Sequence, residues 1–239
     1  MFGRIILTAF AAGVIAGVFL WAAHMVKTTP LILAAEVYET QDHHHGQAAA
    51  PHDHPTTEKA GGEKAGAEKA EWAPGEGFER AAYTLLADIV TAVGFAFLLT
   101  GALHLRGHPI DWRQGVLWGL AGFAAFFAAP SLGLPPELPG MQAADLSARQ
   151  AWWLLTAVAT AAGLWCLAFS ANNVVKALGL GLIVLPHLIG SPHVAGGQSN
   201  VPAELASEFA VTAMVVNGLF WMALGGLTGY FYNRFDQLE

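Results

Sequence analysis

Six apolar stretches, at about 4–26, 82–105, 114–130, 149–170, 173–190 and 206–232, constrain this chain more than any other feature. A helix that crosses a hydrocarbon core needs about 20 such residues. In that medium no water satisfies stray backbone N–H and C=O groups, so each stretch must fold as a helix. The third and fifth stretches are the shortest. The expected architecture is an all-α, polytopic membrane bundle of about six transmembrane helices. Composition agrees, with 54% hydrophobic and only 12% charged residues, against about 25% charged in globular domains. The first stretch could also be read as a signal peptide, but it is long for one, and neither "WAAH" nor "LILAAE" offers a clean cleavage site.

Gly13/Gly17, Gly115/Gly119 and Gly225/Gly229 share the Gly-x-x-x-Gly spacing. Small residues so spaced let membrane helices approach closely. We read them as packing, because a glycine-rich membrane chain produces such matches readily. The lone cysteine, Cys166, sits in an apolar run, which leaves no disulfide framework and no cysteine metal site.

Against this background, "ETQDHHHGQAAAPHDHPTTEKAGGEKAGAEKAEW" is an anomaly. Five of the ten histidines lie in it, and a Glu-Lys-Ala triplet recurs at 58, 63 and 68. Residues 27–79 carry ten acids and four lysines, so most of the net charge of −7 resides there. Such a segment cannot bury a core and is expected to be disordered. The chain therefore divides into a first transmembrane helix with an outer extension (1–39), a His/Glu/Lys/Ala-rich loop (40–76) and a five-helix transmembrane region (77–239).

Neutral imidazole suits cobalt, nickel, zinc and copper. His43, His44, His45, His52 and His54, with Asp42 and Asp53 beside them, form a flexible donor cluster suited to fast capture with little metal selectivity. The competing readings are a pH sensor and neutral drift in low-complexity sequence. "LPHLIGSPH" ends the fifth stretch and places His187 and His193 around a proline-broken bend. These are either ligands at an entrance or interfacial histidines at a capped helix end. Glu36 and Glu39 share a helical face. Asp88 lies about two turns into the second helix, and an ionisable residue at that depth is a functional candidate, with helix packing as its alternative. His24 marks the outer end of the first helix. Asn217, deep in the sixth, reads as glue between helices. His104 and His108 would suit an exit site by position alone. "PSLGLPPELPGM" is a rigid proline-rich loop that could lie over the bundle.

Lysine and arginine near the helix ends orient the bundle. Arg4, Arg106, Arg113, Lys176 and Arg234 favour a cytoplasmic location for both termini and place the histidine loop, the 131–148 loop and the 191–205 loop outside. No basic patch suggests nucleic acid. Nucleotide-binding, zinc-protease and nucleophile-elbow motifs are all missing, so the chain reads as no enzyme. Transport needs no hydrolysis: a divalent cation moving down about 100 mV gains about 4.6 kcal/mol.

"PLILAAEVYE", "LWGLAGFAAFFAAPSLGLPPELPGM", "ADLSARQAWWLLTAVATAAGL", "LPHLIGSPH" and "VPAELASEFAV" together resemble the CbtA-type family of predicted bacterial cobalt-transporter subunits. The resemblance runs from about residue 1 to 234. It implies a multi-pass protein of the bacterial inner membrane that works with a small single-helix CbtB-type subunit. It also implies Co2+, or alternatively Ni2+, as the transported ion, with no permanently bound cofactor. Pro186, His187, Gly190, Pro192 and His193 match as a motif, as do Glu36, Tyr38 and Glu39, but the family assigns them no roles. The Glu-Lys-Ala repeat departs from the family pattern as an expansion. The expected metal-handling residues are His43, His44, His45, His52, His54, His187, His193, Glu36 and Asp88. The main rival is a membrane-anchored metal donor or sensor that does not itself conduct.

Overall fold

A computed structural model describes residues 2–45, 74–75, 77–108, 110–194 and 199–236, with only the backbone of 39–45. All regular structure among the described residues is helical. Helix α1 (Phe2–Ala23) passes through a π-turn (His24–Thr28) into α2 (Thr29–His45). Then come α3 (Phe78–Arg106) and α4 (Trp112–Phe123), which continues through a second π-turn (Ala124–Ala128) into α5 (Ala129–Ser131). The last three are α6 (Leu146–Phe169), α7 (Asn173–Ile189) and α8 (Ala203–Asp236).

Each of the six expected stretches is helical. Among the described residues, four runs are long and apolar enough to cross a membrane: Phe2–Tyr38, Phe78–Arg106, Leu146–Phe169 and Ala203–Asp236. The other two, 112–131 and Asn173–Ile189, fall on the stretches that were shortest in the sequence. At 1.5 Å per residue, the 17 residues of α7 reach only about 25 Å of a core about 30 Å thick. Helix α2 carries its backbone to His45, into the stretch expected as loop.

Proline explains the π-turns. Pro30 and Pro130 each stand two residues beyond one. A proline has no N–H to donate, and its ring crowds the carbonyl four residues back. The chain widens by one residue instead: the N–H of Thr29 bonds the His24 carbonyl, and that of Ala129 the Ala124 carbonyl. The Thr28 hydroxyl donates to the same His24 carbonyl at 3.3 Å.

Glycine spacing sets the helix contacts. A methyl group on Gly13 would lie 2.5 Å from Val93 Cα, and one on Gly17 2.6 Å from Ile89 Cα, so α1 and α3 meet nearly backbone to backbone. Gly115 and Gly119 of α4 face Gly225 and Gly229 of α8, and a methyl on Gly119 would collide with the Trp221 carbonyl. Gly163 and Gly179 do the same for α6 and α7. The main core joins Ala9, Ala16 and Leu20 to Ala92, Ala96 and Leu99 and to Phe220, Trp221 and Leu224. Thr100, Thr156 and Thr228 are buried, and each hydroxyl donates to the carbonyl four residues back. Asn217 also bonds within its own helix, to the Ala213 carbonyl at 3.0 Å, and so does not join two helices as expected. With small side chains dominating these spans, intrahelical bonding satisfies a polar group without a partner helix.

The two ends of α1 and α8 meet. Arg4 pairs with Asp236 and lies 3.9 Å over the Tyr232 ring, which puts both chain ends on one side of the bundle. A smaller core occupies the opposite side, where Leu138 of the proline-rich loop packs with Ala35, Val201 and Phe209. Arg149 holds that loop by donating to Glu137 at 2.6 Å.

Candidate functional site

The ionisable groups of interest gather around the α1–α2 junction, away from the chain ends. Helical side chains lean toward their N-terminus, and the first π-turn sets the direction of His24. Its Nδ1 lies 3.0 Å from Asp88 Oδ2 on α3. Trp21 clamps the same two helices by donating to the Ala81 carbonyl at 3.0 Å. The Asp88 side chain is 12% exposed and that of His24 25%, so the open edge of the pair is the imidazole. An ionised carboxylate can only accept, so in this contact the proton sits on Nδ1, and a neutral imidazole then has its lone pair on Nε2. Imidazoles that bind metal ions are commonly oriented in this way by a carboxylate.

A second pair lies nearer the loop. Arg80, at the start of α3, donates to Glu36 of α2, and both are about one-third exposed. Glu36 is thus already neutralised by a cation. An arriving metal ion would have to compete with a guanidinium for it.

His187 lies elsewhere, at the end of α7. That helix runs through Pro186 without a break and ends at Ile189, with Gly190 at φ +89°. Trp152 donates from its indole to the Pro186 carbonyl at 3.2 Å, and its ring meets His187 edge-on with centroids 5.8 Å apart. His187 is half-buried and His193 exposed in the following segment. His43, His44 and His45 belong by backbone to the end of α2, while His52 and His54 lie outside the described residues. At the other side of the bundle, His104 Nδ1 is 3.3 Å from the Tyr232 hydroxyl, and His108 donates to the Arg106 carbonyl at 2.7 Å.

The structure thus brings Asp88 to His24 and Glu36 to Arg80, and it leaves His187 beside an aromatic ring. Among the described residues no group of three or more His, Cys, Asp or Glu side chains is placed to hold an ion. Sequence reasoning singled out Asp88, Glu36 and His24 but paired none of them. The available signal was an opposing ionisable residue near the facing end of the neighbouring membrane helix.

A family model described as "Probable cobalt transporter subunit (CbtA)" matches residues 2–233, nearly the whole chain. The chain belongs to the CbtA family. No curated protein and no solved structure matches it. The family is one of transporter subunits, which is no enzyme class, and its description fits the apolar helices of a membrane protein.

Proposed function

We propose that this CbtA-family chain is the membrane-embedded part of a Co2+ uptake transporter, and that the histidine-rich segment gathers the ion at the outer face. One observation carries the reading: an imidazole–carboxylate pair, His24–Asp88, lies between two membrane helices on the side where α2 leads into the histidines. Asp88 positions His24, whose Nε2 offers a single borderline donor of the kind Co2+ and Ni2+ accept. Glu36, released from Arg80, adds a hard oxygen. His187 and His193 flank the same side at the end of α7. A site built from few ligands suits passage, because an ion that moves through must also leave. The membrane potential supplies the drive, and about 100 mV sustains about a 2000-fold gradient of a divalent ion.

This reading puts the protein in the bacterial inner membrane with both termini cytoplasmic and residues 40–76 periplasmic. Its partner is a small single-helix CbtB-type subunit, and Ni2+ is the alternative cargo. The rival is a donor or sensor that holds the ion and passes it on.

Radioactive Co2+ uptake into proteoliposomes at an inside-negative potential separates the two. Wild type, a 41–71 deletion, His187→Ala and Asp88→Asn are compared, with and without the small partner. Potential-dependent uptake that falls modestly without the loop and steeply in Asp88→Asn supports conduction. Uptake that stays at background even with the partner present ends it and leaves the donor reading.

A further inference from the structure

A cavity on the side of the chain ends lies apart from the His24–Asp88 and Glu36–Arg80 pairs. It is a cleft of about 820 Å³ between α3, α4 and α6. The α6–α7 pair meets the bundle mainly through α5 and the second π-turn, which leaves a gap beside α3 and the first half of α4. The floor is aromatic: Phe126 stacks on Trp221 with centroids 5.7 Å apart, and Phe95 lies 4.7 Å from the same indole. The walls are apolar. Polar lining groups are confined to one end, where Arg106, His108 and Gln114 stand on the side of the chain ends. The Arg106 guanidinium lies 4.4 Å over the Phe169 ring and has no carboxylate partner among the described residues.

Depth and charge together identify the occupant. Along α3 the cleft extends from Phe95 to Arg106, about 16 Å at 1.5 Å per residue. That is about half of a hydrocarbon core about 30 Å thick. A transmembrane helix would need a groove along the full thickness, whereas one leaflet of lipid tail needs half. Phe95 and Trp221 close one end, and Arg106, without a carboxylate partner among the described residues, marks the other at the last turn of α3, where a headgroup would lie. Basic pockets between membrane helices bind anionic lipid headgroups. We infer that the cleft is a binding site for one anionic phospholipid, with acyl chain against the Phe95–Phe126–Trp221 floor and phosphate on Arg106.

Native mass spectrometry of the full-length protein tests this, using phosphatidylglycerol and phosphatidylcholine with the same acyl chains. Wild type should retain one phosphatidylglycerol in preference to phosphatidylcholine. Arg106→Gln should reduce that preference by about fivefold, the contribution of one basic residue near a headgroup. Ala161 is exposed into the cleft, and Ala161→Phe should reduce retention of both lipids without altering the elution volume of the folded protein. Equal retention of the two lipids by wild type overturns the inference. So does a preference that survives Arg106→Gln, or retention unaffected by Ala161→Phe. Recovery of wild type with no lipid, or with a protein chain shielding Phe95 and Trp221, overturns it as well.

Discussion

Asp88 is acceptable in a membrane helix because His24 gives its carboxylate a donor at 3.0 Å. The pair also specifies a direction of hydrogen bonding. Asp88→Asn keeps the shape but can donate to Nδ1, which would put the imidazole proton on Nε2 and block it as a ligand. Co2+ uptake is then expected to fall about 10- to 100-fold, as for other lost partners of metal-binding histidines, while the helix content is kept. Nitrogen NMR of the imidazole should report the exchanged tautomer directly. A second residue-scale prediction concerns Asp145, the N-cap of α6, whose carboxylate accepts from the Ala148 N–H at 2.9 Å. The Ser147 hydroxyl and then the Ala148 amide hold its pKa below the ordinary value. The sign follows: the contribution is fully present above the ordinary value of about 3.9 and is lost as pH falls through the lower folded value. Thermal melts of wild type against Asp145→Ala should therefore differ at neutral pH and converge in acid.

At the scale of elements, glycine and proline do most of the shaping. Gly119 and Gly225 let α4 and α8 touch through their backbones. Gly119→Ala should destabilise the fold by about 1–3 kcal/mol through overpacking. Gly181→Ala meets nothing within 4 Å and should be neutral, or stabilising by up to about 1 kcal/mol through helix propensity. Unfolding in mixed detergent micelles distinguishes the two. Pro30 explains why a π-turn precedes α2. Pro30→Ala restores the missing N–H, so the turn can tighten to an ordinary α-helix and draw His24 off Asp88. Uptake should fall with little change in melting temperature, a combination that simple unfolding would not produce.

Across the whole molecule, the two ends of the bundle are built differently. The side of the chain ends is tied by Arg4–Asp236 and holds the cleft at Arg106. The other side has its own small core around Leu138 and the His24–Asp88 and Glu36–Arg80 pairs. If a divalent ion is driven by potential, the accumulation ratio at equilibrium should rise tenfold for about every 30 mV. Tracer distribution in vesicles clamped at graded potentials measures that slope, and a singly charged cargo or proton exchange would change it.

Six helical stretches, their order and their glycine faces were legible in the sequence, because apolar length and small-residue spacing are properties of neighbours along the chain. The family was legible too, in motifs such as "LPHLIGSPH". Asp88 and Glu36 stood out because a carboxylate in or beside a membrane helix is costly enough to attract notice. The pairings were not legible, since His24 and Arg80 lie 64 and 44 residues away and only helix packing brings them close. The cleft was equally hidden, because a void depends on where the α6–α7 pair sits against the bundle and not on any local run of residues. Local chemistry determined which segments form apolar helices. The tertiary structure decided which polar groups meet there, because a buried carboxylate such as Asp88 needs a donor that only a neighbouring helix supplies.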